Sequence, residues 1–443
     1  MMPRRIRSLV KIGLWLLMAA WVSSCSETQR PLEWEEAVRG GLDASPITVD
    51  ADTLVVASAS YHEPVWTGIS SYFLVGHLEQ SNLALGAITA QAYLKWDVSD
   101  LPEGEILSAH LEFVLRDYER TPSEGPDLFN LELFAVTDSW CEDSLGIAAP
   151  ASYGTQVGRS GSIDVTNMPG FPDFPESTDA VLSANDFILA ELPALVDQWR
   201  GDESANNGLV IVPARTDPGE GFLRFVSSEG DPRDQTTEIS TPALVVEIAA
   251  ADGDTIITLE ATEDGYAVFA EDEDLGASLC LGDDEDLILS AGYARRIILA
   301  LDLSDPQVFP PGIAVHQAVL QLTVEPDADW ILDPDKELTV RVHESDAVWS
   351  EGDLPETIEI DVESISSAVL TGDSTTVELD ILDPVQKMLE GSDVSLVLRC
   401  ALEPDFFRTL LVKGRCAADG RPRVRIVYTC PGTGRLGPWP EEE

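Results

Sequence analysis

Apolar and polar residues alternate one by one along most of the chain. Leu94, Trp96 and Val98 fall on one face of their segment, while Lys95 and Asp97 fall on the other. Leu111, Phe113 and Leu115 alternate in the same way, as do Phe129, Leu131 and Leu133, and then Leu244, Val246 and Ile248. Alternation over five to seven residues, punctuated by Pro, Gly, Asp and Asn, is the pattern of half-buried strands. Parallel sheets covered on both faces would need strands that are apolar throughout, so the pattern predicts antiparallel pairing. Helical spacing is scarce. Its best instance sets Leu192, Leu195, Val196 and Trp199 on one face, with Gly201 as a stop; Leu382 to Leu389, followed by Gly391, is a second.

The strand blocks occur twice and in the same order. Leu94-Lys95-Trp96-Asp97-Val98-Ser99-Asp100 returns as Leu299-Ala300-Leu301-Asp302-Leu303-Ser304-Asp305. Trp140-Cys141-Glu142 returns as Trp349-Ser350-Glu351, Leu209-Val210-Ile211-Val212 as Leu396-Val397-Leu398-Arg399, and Pro242-Ala243-Leu244 as Pro422-Arg423-Val424. The separation, about 180 to 210 residues, drifts by loop-sized steps, as two copies of one fold with different loops require. The expectation is an all-β chain of two tandem antiparallel β-sandwich, jelly-roll-like domains, each with one short helix. The boundaries read as 46–250 and 253–430, with Ala249 to Gly253 as a tight linker and 431–443 as an acidic tail.

The first 25 residues differ from everything after them. Arg4, Arg5, Arg7 and Lys11 precede an apolar run from Ile12 to Val22, too short for a permanent span, and Val22-Ser23-Ser24-Cys25 closes it with small residues before a cysteine. This resembles the lipobox of bacterial lipoproteins, which implies cleavage before Cys25 and acylation of that residue. The resemblance makes 26–45 a tether, and Ser26 after the cysteine favours an outer-membrane or cell-surface address over the inner membrane. The membrane is then reached through the N-terminal lipid.

Charge narrows the partners. With 79 acids against 27 bases the formal charge is −52, a field that repels nucleic acid and anionic headgroups. Clusters such as Asp272-Glu273-Asp274 and Asp283-Asp284-Glu285-Asp286 offer hard oxygen ligands, but none has EF-hand spacing, so calcium is possible yet unspecific and no cofactor is required. The second copy holds Cys280, Cys400, Cys416 and Cys430, which in an exported domain are candidates for two disulfides of unassigned connectivity.

No catalytic constellation is legible. Five histidines occur and none recurs at matched positions; there is no Gly-x-Ser-x-Gly, His-Glu-x-x-His or phosphate-cradling loop, so the chain reads as a non-enzyme. Trp140/Trp349 and Glu142/Glu351 recur and therefore read as fold signature, with the Trp capping the core and the Glu bonding a turn. Aromatics that do not recur are the better ligand candidates. Tyr61, Trp66 and Tyr72 crowd what reads as a loop between the first two strands of the first domain, where exposed rings suit stacking on sugars.

Taken in order, Asp97 to Pro102, Trp140-x-Glu142, Asn207-Gly208-Leu209-Val210-Ile211, Phe225-Val226-Ser227-Ser228-Glu229 and Pro242-x-Leu244-Val245-Val246 resemble the DNRLRE domains, related to family 96 carbohydrate-binding modules. The second copy keeps Trp349-x-Glu351 but lacks Asn-Gly before Leu396 and Ser-x-Glu after Val412, a divergent member. The resemblance implies a non-catalytic module that binds polysaccharide or matrix glycan. The alternative is a scaffold lipoprotein that spaces an assembly through a protein partner of unknown identity.

Overall fold

The computed structural model describes residues 46–63, 67–68, 70–79, 87–119, 128–145, 151–165, 180–182, 187–229, 241–250, 253–270, 278–279, 286–325, 337–347, 358–361, 363–371, 374–401, 403 and 408–430. Residues 1–45 with Cys25, together with Trp66, Cys280, Trp349 and Glu351, lie outside them. Among the described residues no helix is long and apolar enough to cross a membrane. By compactness the chain divides into Met1–Ile47 with Gly312–Ala314 and Tyr428–Glu443, mostly outside the described residues, and a large unit of Thr48–Pro311 with Val315–Val427.

The described chain is all-β. It opens with β1 (Ile47–Ala51), β2 (Val55–His62), β3 (Tyr72–Leu78), β4 (Ile88–Trp96), β5 (Glu105–Glu119), β6 (Leu128–Phe129), β7 (Leu131–Val136) and β8 (Tyr153–Ser160). Next come β9 (Ile163–Asp164), β10 (Ala180–Leu182), β11 (Phe187–Ile188), helix α1 (Leu192–Gly201), β12 (Leu209–Pro213), β13 (Gly221–Val226), β14 (Ala243–Ala250) and β15 (Gly253–Ala270). The second part has β16 (Ser278–Leu279), β17 (Asp286–Ala291), β18 (Arg295–Leu301), β19 (Ala314–Thr323), β20 (Leu338–Ser345) and β21 (Ser366–Leu370). It closes with β22 (Thr376–Asp380), helix α2 (Leu382–Leu389), β23 (Ser395–Cys400), β24 (Arg408–Lys413) and β25 (Arg423–Thr429). Both helices fall where the helical spacing placed them.

An eleven-stranded sheet runs β11-β8-β7-β12-β4-β15-β14-β5-β13-β3, with β10 on β5, and closes on itself because β3 also pairs with β4. Its long strands bend at register shifts, such as Ala261/Glu263 in β15. The bend lets one strand serve two layers, β14 along its first half and β4 along its second. The alternating faces meet inside. Phe73, Trp96, Phe113, Phe225 and Val246 are buried with Leu192, Val196 and Trp199 of α1. Phe73 and Phe225 stack at 5.2 Å, and each such ring contributes about 2 kcal/mol by leaving water.

An eight-stranded sheet runs β16-β2-β18-β23-β20-β21, with β17 on β18 and β24 on β17, and a four-stranded sheet runs β1-β25-β19-β22. The pairing repeats that of the first sheet position by position. Leu209 faces Leu94 and Val210 faces Tyr93; at the matched positions Leu396 faces Leu299 and Val397 faces Ile298. The duplication is thus a duplication of ladder register.

The expected domain boundary does not survive this pairing. Strand β2 belongs to the first copy by sequence, yet it pairs with β18 of the second, Ala59 opposite Ile298 and Tyr61 opposite Arg296. Strand β15 opens the second copy, yet it pairs with β4 of the first, Gly265 opposite Tyr93 and Ala267 opposite Gln91. The two copies have exchanged equivalent first strands. Cross-links at the exchange are equivalent as well: the Ser228 N–H donates to Asp264 Oδ2 at 2.6 Å, and the Arg415 N–H donates to Ser58 Oγ at 2.9 Å. The cause lies in the supposed linker. β14 and β15 pair from Ala243↔Glu260 to Ala250↔Gly253, so the link is the end of a hairpin and returns β15 onto the sheet it left.

The cysteine expectation is also corrected. Cys400 and Cys430 are thiols outside any disulfide, as is Cys141, whereas Cys416 is disulfide-bonded. Two disulfides among the four second-copy cysteines are therefore excluded. Cys400 ends β23 opposite Val340 and is 1 % exposed, so it serves as a small apolar core residue.

Candidate functional site

The signature residues hold turns. The Trp140 indole N–H donates to the Asn207 carbonyl at 2.8 Å, and its ring packs against Tyr93 at 5.7 Å. Asn206 Nδ2 donates to the Trp96 carbonyl at 2.7 Å, and Gly208 follows at φ 76°, where a Cβ would stand 2.1 Å from the Leu94 carbonyl oxygen. Only glycine fits there.

The three candidate aromatics are not brought together. Tyr61 is no loop residue: it closes the alternation Ala57, Ala59, Tyr61 on β2 and is 6 % exposed in the β18 sheet. Tyr72 starts β3, half-buried, with the Arg224 guanidinium 4.7 Å from its ring centre. Trp66 lies outside the described residues.

What Tyr61 does touch is a feature that sequence reading missed. Tyr61 on β2 faces Arg296 on β18, and Arg399 on β23 faces Arg341 on β20. The β18–β23 ladder ends at Ile297↔Leu398, and one step beyond it Arg296 and Arg399 are near enough for their charges to repel. Directly opposed residues of an antiparallel ladder share a face. Tyr61, Arg296, Arg399 and Arg341 therefore form one row across four neighbouring strands, the arginines spanning about 10 Å.

The arginines are not equally satisfied. Arg296 is buried in a two-pronged pair with Glu403, Nε to Oε1 at 3.1 Å and Nη2 to Oε2 at 2.8 Å, the side chains 8 % and 3 % exposed. Arg399 and Arg341 are half-buried, and among the described residues neither has a carboxylate partner. The Arg399 Nε donates instead to His343 Nε2 at 3.0 Å, while His343 Nδ1 donates to the Asp361 carbonyl at 2.9 Å. Burial first, then Arg399, Arg296 and Arg341, hold the His343 pKa below its ordinary value, so the imidazole is neutral and accepts. At the same end of β2, His62 stacks on Tyr293 at 4.3 Å and is held down to about 4 by desolvation and by Arg295 and Arg296.

The matched row in the first sheet has other chemistry. Gln91, Val212 and Glu132 stand where Arg296, Arg399 and Arg341 stand in the second, with Val212 opposite Glu132. The signal was present in the sequence as three uncharged or acidic residues replaced by arginine at matched strand positions.

The first sheet carries a carboxylate pair instead. Asp264 on β15 is fully buried, and its backbone N–H bonds the Glu142 carboxylate. Burial and mutual repulsion push Glu142 up to about 7; burial, with the charge of Glu229, pushes Asp264 up to about 6. The Glu142 carboxylate thus accepts from the backbone of strand β15, not from a turn, and faces a second carboxylate.

No family model matches the chain. No curated protein matches it either. Among solved structures, one titled "Structure of infectious bursal disease virus Gt strain" aligns over 89 % of this chain and 78 % of that one, at 12 % identity and a TM-score of 0.08, too slight a likeness to argue from.

Proposed function

We propose that this chain is a lipid-anchored, non-catalytic surface protein of the DNRLRE type that binds polysaccharide bearing carboxylate or sulfate groups. The observation that carries the reading is the arginine row of the β18 sheet. In a chain of net charge −52, three arginines meet on one sheet face, and among the described residues two of them make no ion pair with a carboxylate. A guanidinium presents a planar fork that matches a carboxylate or sulfate, and its cost of desolvation is lower than that of an ammonium. Arg296, tied to Glu403, anchors one end of the row, and neutral His343 fixes the Arg399 guanidinium without cancelling its charge.

The acidic remainder of the surface restricts binding to that row and makes it weak singly; avidity on a repetitive polymer compensates. Retention of the full chain in native gels containing polygalacturonate or dextran sulfate, with migration unchanged in unsubstituted dextran, is the expected result. Equal migration in all three gels, together with a stoichiometric protein partner, would favour the scaffold reading. For the anchor, Cys25→Ser abolishes fatty-acid labelling; labelling that persists contradicts the lipid.

A further inference from the structure

Among the described residues three buried carboxylate oxygens of the β4 sheet have no hydrogen-bond partner, Glu132 Oε2, Glu142 Oε1 and Asp264 Oδ1, and the last two belong to groups that meet. The two groups reach each other from different directions. Glu142 opens the short 3-10 turn Glu142–Ser144 after β7, and Asp264 comes from the exchanged strand β15. Asp264 is fully buried, and its other oxygen, Oδ2, is already taken by the Ser228 N–H. Gly68 closes over Glu142 so tightly that a Cβ there would stand 2.3 Å from Glu142 Cγ. Glu229 and Glu263 add negative charge nearby, and Lys95 is engaged with Glu263 at 2.7 Å.

Two like charges out of water, each with an unsatisfied oxygen, are costly unless a proton or a cation joins them. We propose that Glu142 Oε1 and Asp264 Oδ1 are ligands of a calcium ion that pins the exchanged strand to the turn after β7. The donors are hard oxygens, which selects calcium or magnesium over softer metals. Among the described residues no group of three or more carboxylate, imidazole or thiolate ligands surrounds the point. The ion therefore completes its shell with backbone oxygens or water, which suits the loose, variable shell of calcium better than the strict octahedron of magnesium. The second sheet has no such pair, because Ser58 takes the place of Asp264 and accepts the equivalent backbone N–H. The raised pKa values of both carboxyls fit a site that is unfavourable when empty and ionised.

The test compares the full chain with its Asp264→Ser variant, which reproduces the Ser58 arrangement and so keeps the backbone hydrogen bond. After EDTA treatment, calorimetric titration with calcium chloride at pH 8 is expected to give one more saturable site in the parent than in the variant. The parent Tm rises by about 4 °C and the variant Tm does not. Equal stoichiometry and equal Tm shifts in the two proteins would overturn the site, leaving calcium to the acidic surface. Absence of any calcium effect on the parent at pH 8 would overturn it equally, leaving a shared proton as the occupant.

Discussion

The β4 sheet and the β18 sheet share one ladder, register for register, and part company in a handful of side chains. At three matched positions the first has Gln91, Val212 and Glu132 and the second has Arg296, Arg399 and Arg341. Across the exchanged strand the first has Asp264 and the second Ser58. Along the shared ladder, charge rather than register distinguishes the copies. The first sheet gathers buried acid and the second buried base. The common ladder preserves the fold, and the positions it leaves free differ in charge.

The comparison can be broken most forcefully at Glu403. Removing one partner of a buried ion pair leaves the other charge unpaired, so Glu403→Ala lowers unfolding free energy by about 3 kcal/mol or more in a urea titration. If Glu403→Ala costs no more than an exposed pair, Arg296 is not buried as described. Next in size is Gly208→Ser, which places the second copy's Ser395 residue where φ is 76° and the Leu94 carbonyl stands in the way; a loss of about 2 kcal/mol is expected. A neutral outcome would mean that the two β-edges are alike after all.

The carboxylate pair gives a pH signature. Glu142 and Asp264 have folded-state pKa values of about 7 and about 6, against ordinary values of 4.5 and 3.8. The folded chain thus binds more protons than the unfolded chain across that window. Without calcium their contribution to stability is present below pH 4 and falls as pH rises to about 7, and Asp264→Ser flattens this slope. An unchanged slope would place the titration elsewhere. Smallest of all is Lys95→Ala: its pair with Glu263 is partly exposed, 30 % and 28 %, and the expected cost is about 0.5 kcal/mol. A cost comparable to that of Glu403→Ala would erase the contrast between the sheets.

Much of the fold was legible because alternation reports which face of a strand is buried. It placed Leu94 and Trp96, and Leu131 and Leu133, correctly, and helical spacing placed both helices. It could not report which strand lies alongside. Val55 to His62 and Thr255 to Ala270 have the same pattern whether they pair at home or across, so the exchange escaped the sequence. Tyr61 was read as a loop residue although it continues the alternation Ala57, Ala59, Tyr61 on β2. The arginine row was hidden by separation, since 296, 341 and 399 meet only through the ladder. Cys400 misled in another way: its burial satisfies a core, and a cysteine in a core needs no bridge.

The claim that function resides where the copies differ is tested by giving the second sheet the first sheet's residues. Arg341→Glu with Arg399→Val restores the Glu132 and Val212 chemistry while sparing the Arg296–Glu403 pair. The doubly substituted chain is expected to keep its fold by circular dichroism and to lose retention on polygalacturonate and dextran sulfate by about tenfold or more in apparent Kd. Retention equal to that of the parent chain would contradict it.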